Sequence, residues 1–145
     1  NYESLADGGF ASGSMMGSGG FIVLDDTQCV VKHTYTLARF YRHESCGQCS
    51  PCREGTGWME KILLKIDSGK GVMSDIDLLW DIQRKIEGNT ICPLGDAAAW
   101  PVAAAIRHFR DEFEWHINNP EDCLRKNYGL AGYADEIHVP VLSNE

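Results

Sequence analysis

Three cysteines spaced three apart, in Cys46-Gly47-Gln48-Cys49-Ser50-Pro51-Cys52, and a fourth in Thr90-Ile91-Cys92-Pro93-Leu94-Gly95-Asp96, constrain this chain more than any other feature. Three thiols at that spacing point inward together only from one tight loop. The fourth lies 40 positions beyond Cys52, so the fold must bring two distant loops to one place. Four thiolates, one per iron, are the ligand set of a cubane iron–sulfur cluster, and Cys46, Cys49, Cys52 and Cys92 are the candidate metal-ligating residues. The run of a bacterial ferredoxin is excluded, because its next Cys would fall where Thr56 stands. A tetrahedral zinc is the alternative; zinc sites usually draw their thiols from two separated pairs, and three thiols in one turn suit a cubane better.

Six cysteines could also form disulfides, but a disulfide framework spreads them through a short secreted chain, whereas three of these are crowded together. The remaining two, Cys29 and Cys123, read as small apolar side chains. His33, His43, His108, His116 and His138 are scattered, with no metal-ligand pair such as HExxH. Arg53 follows the third cysteine at the start of an expected helix, where its charge and the helix N-terminus both favour an anionic group. Backbone N–H groups of residues 47–53 can point at sulfur. Arg39, Arg42, His43 and Glu44 read as a solvated helix face just before the loop.

The spacing of apolar residues predicts a mainly α protein, a four-helix bundle with a short N-terminal β segment and an irregular C-terminal arm. Phe21-Ile22-Val23-Leu24, bounded by Gly20 and Asp25-Asp26, reads as a strand, and residues 28–32 as a second strand or the beginning of a helix. Helical spacing runs from about Val31 to Glu44, with Tyr35, Leu37, Ala38, Phe40 and Tyr41 in phase. A second helix fits Arg53 to Ile66 and stops at Gly69-Lys70-Gly71. A third is expected to start at Ser74, with Asp77 three residues on in a pattern close to a capping box, and to end at Gly88-Asn89. A fourth runs from Gly95 to Ile117, broken by Pro101. Trp58, Trp80, Trp100 and Trp115 fall at helical positions and read as core. Connections one–two and three–four of an antiparallel bundle lie at the same end, which brings Cys92 to the other three cysteines.

Three segments follow. Residues 1–30 form a glycine-rich loop and short strand linking from an upstream domain, 31–117 a helical cluster-binding domain, and 118–145 an irregular extension. The glycine run 13–20 lacks both GxGxxG and a GK[ST] ending and reads as loop. Asn1-Tyr2-Glu3-Ser4-Leu5 reads as mid-protein sequence. The formal net charge of -8 argues against a nucleic-acid partner, which needs clustered Lys and Arg. No apolar run approaches the roughly 20 residues of a membrane span, and the expectation is an intracellular protein without direct membrane insertion.

The stretch Glu44–Trp58 and the stretch Ile86–Val102, followed by Ile106-Arg107-His108-Phe109-Arg110, resemble the flavin- and NADH-binding subunit of respiratory complex I. Related subunits occur in NAD-linked hydrogenases and formate dehydrogenases. Gly17–Leu24 is similar to the lead-in to the same domain, and the resemblance covers about residues 3–117. It implies a [4Fe–4S] cluster on Cys46, Cys49, Cys52 and Cys92, as part of an NADH:quinone oxidoreductase in which NADH reduces FMN and the cluster takes electrons singly. FMN and NADH would sit on an upstream domain outside these residues, so the chain alone would relay electrons rather than oxidise NADH. Implied partners are that flavin domain and other iron–sulfur subunits. The implied location is the cytoplasmic side, in the peripheral arm of a membrane-associated complex or in a soluble complex. Leu94 and Gly95, after the fourth cysteine, would be the flavin-side contacts. A hydrogenase or formate dehydrogenase counterpart and a zinc-stabilised interaction domain without a redox role are the alternatives.

Overall fold

Periodic apolar residues become four helices in the computed structural model, which describes residues 22–25 and 28–119. These are α1 (Val30–Glu44), α2 (Ser50–Asp67), α3 (Met73–Ile86) and α4 (Leu94–Asn118). Their inward faces form one core. Val31, Tyr35 and Ala38 of α1 meet Met59, Leu63 and Ile66 of α2. Ile76, Leu79, Ile82 and Ile86 of α3 pack with Ala98, Ala99, Val102, Ile106 and Phe113 of α4. Burying a side chain such as Leu63 or Phe113 contributes about 1.5–3 kcal/mol, so the core, rather than helix propensity, holds the bundle.

Polar ties between helices fix their directions. The backbone N–H of Val30, at the start of α1, donates to Glu112 Oε1 near the end of α4 at 2.7 Å. Lys32 pairs with Asp67, the last residue of α2, at 3.3 Å. Asp77, early in α3, accepts from Arg110 in the second half of α4 at 3.0 Å. Glu87, just past the end of α3, accepts from Trp100 Nε1 near the start of α4 at 2.8 Å. Each pair joins the beginning of one helix to the far part of its neighbour, so α1 runs antiparallel to α2 and α4, and α3 antiparallel to α4. The α1–α2 and α3–α4 connections therefore share one end, as the helical reading requires.

Several sequence expectations need correction. Ile22, Val23 and Leu24 form no strand; they are exposed, Val23 at 91%, and among the described residues no neighbouring strand offers them a ladder. Residues 28–32 lead into α1, the second of the two readings open to them. The cap of α3 is Val72, whose N–H donates to Asp75 Oδ2 at 2.8 Å. The helix thus begins before the expected Ser74–Asp77 pair, since Asp75 is the carboxylate three residues beyond a cap at Val72. Pro101 does not break α4. The helix passes through it, held by buried Ala98, Ala99, Val102 and Ala103 on both sides, and the departure from helical backbone comes at Phe109 (φ -133, ψ 29). The tryptophans are not core: Trp58 is 54% exposed and Trp100 and Trp115 are each 41% exposed, while Trp80 is partly buried against the core. Helical phase alone places a residue on a face and does not say whether another element covers it. The glycine-rich segment 1–20, Phe21 and the extension from residue 120 onward, with Cys123 and His138, lie outside the described residues.

Candidate metal centre

The loop from Ser45 to Cys49 leaves α1 and enters α2 in five residues, and two local devices shape it. Gly47 takes φ +77, a left-handed conformation that residues with a Cβ rarely adopt. Arg53, one turn inside α2, reaches back so that Nη1 donates to the Gly47 carbonyl oxygen at 2.8 Å, while its Nε pairs with Glu54 at 2.9 Å. Cys49 is the N-cap of α2 and Pro51 stands in the first turn, where a missing N–H costs nothing. Cys52 therefore belongs to the first turn of the helix, which starts three residues earlier than the expected Arg53, and it is buried at 6% exposure. Thr56 Oγ1 donates to the Cys52 carbonyl oxygen at 2.7 Å.

The second loop is pinned from α4. Gly88 N–H donates to Asp96 Oδ1 at 2.7 Å, and Thr90 Oγ1 donates to the Cys92 carbonyl oxygen at 3.0 Å. Gly95 is buried against Thr90: a Cβ there would lie 2.6 Å from Thr90 Cγ2 and closer still to Oγ1. The glycine that the resemblance offers as a flavin-side contact thus has a packing reason to be glycine.

Both loops meet. Ile91 N–H donates to Cys49 Sγ at 3.4 Å, across 42 residues of sequence. Cys46, Cys49, Cys52 and Cys92 line one cavity of about 160 Å³, together with Glu44, Ser45, Gln48, Thr90 and Leu94. Among the described residues, no three His, Cys, Asp or Glu side chains are grouped as a metal ion would need; the thiols stand around a space instead. The N-termini of α2 and α4 both open beside it, placing partial positive charge near four thiols, groups that would bind a metal only as thiolates. The all-sulfur donor set and the helix ends fit a cubane. A single zinc, by contrast, requires all four sulfurs within about 2.3 Å of one point.

Of the remaining residues, only Glu44 from the helix face before the loop reaches the cavity; Arg42 is paired with Glu60 and His43 with Glu44. Leu94 lines the cavity as well. Cys29 is buried at the opposite end, its Sγ 3.8 Å from His116 Nδ1. Sequence reasoning missed Ser45, whose Oγ lies 3.1 Å from Cys52 Sγ and accepts from Gly47 N–H at 3.3 Å. Its position beside the first cysteine was the available signal. A second, larger groove of about 640 Å³ runs between α2 and α3, lined by Pro51, Trp58, Ile62, Leu78, Ile82 and Ile86 among others. It carries no cysteine and is an apolar surface rather than a metal site.

The segment that holds both cysteine loops is also the one that matches a known family. The description "NADH-ubiquinone oxidoreductase-F iron-sulfur binding region" matches residues 32–116, and the chain belongs to that family. It is 48% identical over 119 residues to the F subunit of the NADH-quinone oxidoreductase of Rickettsia typhi (strain ATCC VR-144 / Wilmington), covering 82% of this chain and 26% of that protein. It is 50% identical over 107 residues to the corresponding protein of Rickettsia bellii (strain OSU 85-389), covering 74% and 26%. A solved structure of an NAD+-reducing [NiFe]-hydrogenase in the H2-reduced state matches with a TM-score of 0.62 and 35% identity over 66% of this chain and 17% of that one. The chain thus spans about a quarter of the length of its curated relatives.

Proposed function

We propose that this chain is the cluster-bearing part of an NADH:quinone oxidoreductase flavoprotein subunit, with Cys46, Cys49, Cys52 and Cys92 as ligands of a [4Fe–4S] cluster. The observation that carries the reading is the meeting of four thiols from two distant loops around one cavity. When bound, the cluster supplies one-electron transfer, here from reduced FMN. The chain's own residues do the rest. Arg53 holds the cysteine loop through the Gly47 carbonyl, and the backbone N–H of Ile91 donates to Cys49 sulfur. The N-termini of α2 and α4 offset thiolate charge. Residues 31–117 make the binding domain, 1–30 the link from an upstream domain carrying FMN and NADH, and 118–145 an extension. Leu94, on the cavity wall, and Gly95 are the flavin-side contacts.

The groove between α2 and α3 supports a role inside a larger assembly, because Trp58 and Leu78 leave an apolar surface of the kind that marks contact with another domain or protein. The partners are then the flavin domain and further iron–sulfur subunits of the complex. No described helix is long and apolar enough to cross a membrane, which suits a place in a peripheral arm. The likeness to an NAD+-reducing hydrogenase favours one second reading, the equivalent part of such an enzyme. The proteins that co-purify separate the two.

The ligand assignment is tested by anaerobic reconstitution with iron and sulfide. The wild-type chain is expected to turn brown and hold about four irons, and Cys92→Ala to lose most of them. Equal iron and colour in the two would defeat the assignment.

A further inference from the structure

We infer that Ser45 is a positioning residue for the electron-transfer step: its hydroxyl donates to Cys52 sulfur and raises the reduction potential of the cluster those thiols hold. The inference rests on the ligand assignment above and adds a residue to it. Three observations carry it. Ser45 is the C-cap of α1, and its own N–H is bonded to the Tyr41 carbonyl at 3.0 Å, so the last turn of the helix fixes where its side chain starts. Its Oγ already accepts from Gly47 N–H at 3.3 Å. The hydroxyl has a single proton, and Cys52 Sγ lies 3.1 Å away. A ligating Cys52 is a thiolate with no proton to give, so the direction of the bond is settled: Ser45 donates and sulfur accepts.

The consequence follows from charge. Taking up one electron adds one negative charge, part of which falls on the ligating sulfurs, and no proton is consumed at Ser45. A donor already aimed at sulfur stabilises the reduced state more than the oxidised one, which raises the potential. Cys52 is the buried ligand of the four, whereas Cys46 and Cys92 are exposed, and a hydrogen bond counts for more where water does not compete. The Ile91 N–H to Cys49 bond acts in the same sense but belongs to the backbone, so a side-chain substitution leaves it in place. Among the described residues, Ser45 is thus the side chain whose hydrogen bond reaches a cavity sulfur.

The test is a redox titration, followed by low-temperature EPR, of the protein in its complex, with iron and sulfide counted in every sample. Ser45→Ala is expected to keep its iron and lower the midpoint potential. Ser45→Thr, which retains the hydroxyl, should return it to the wild-type value, and Ser45→Cys, a weaker donor, should fall between. An unchanged midpoint in any loaded Ala or Cys variant would overturn the inference. So would loss of iron in both while Thr retains it, since that describes a serine that only shapes the loop. Wild-type protein without iron would overturn the ligand assignment and this inference together, whereas wild-type iron with an unshifted Ser45→Ala removes this inference alone.

Discussion

Cys52 and Cys92 reach the same cavity by different means, and substitutions around them should separate ligand loss from loop loss. Cys52 is held by the first turn of α2, while Cys92 depends on Thr90, Gly95 and Asp96 to keep its loop against α4. Gly95→Ala is expected to push Thr90 aside and cost about 1–3 kcal/mol, read as a lower midpoint in urea unfolding, with weaker iron retention. An unchanged midpoint would mean that Thr90 swings away freely. Arg53→Ala removes the tie to the Gly47 carbonyl and should speed the loss of iron in air relative to wild type, while Arg53→Lys should rescue little because a single ammonium lacks the guanidinium fork. Cys46, Cys49 and Cys52 were legible in the sequence because their spacing demands one loop, and Cys92 because antiparallel helix order brings its loop to the same end. Ser45 and Thr90 were not, because their roles depend on which atoms a backbone turn brings within hydrogen-bond reach.

At the scale of the elements, helix number and phase were readable from apolar spacing, and their ends less so. The start of α3 shows why. Ser74 and Asp77 come close to the capping pattern in sequence, yet in space the helix starts after Val72, whose side chain offers no acceptor but whose N–H donates to Asp75, itself paired with Lys65 at 2.8 Å. Asp75→Ala should therefore destabilise the chain by about 1–3 kcal/mol through the Val72 N–H it leaves without its acceptor, and Ser74→Ala should cost much less; equal effects in thermal unfolding would return the cap to Ser74. Pro101 makes the converse case. Local chemistry argues for a break, but burial on both sides of it carries the helix through. Pro101→Ala should consequently raise stability by about 1–2 kcal/mol, the gain of a helix-interior hydrogen bond less the entropy the proline removes from the unfolded chain. A lower melting temperature in that variant would show that the ring itself is needed for packing.

For the whole molecule, antiparallel order turns a sequence separation of 40 residues into one site. That much was foreseeable from topology. The exposure of Trp58, Trp100 and Trp115 was not, since amphipathic phase does not say whether another element covers a face. If, as proposed, the cavity shared by the four thiols holds a one-electron cubane, low-temperature EPR on anaerobically purified, dithionite-reduced protein will detect it, with iron and sulfide counted on the same sample. The expected result is a spin-half signal with about four irons and four sulfides per chain. A colourless sample with no such signal and about one zinc per chain would contradict it and make this bundle a structural metal domain.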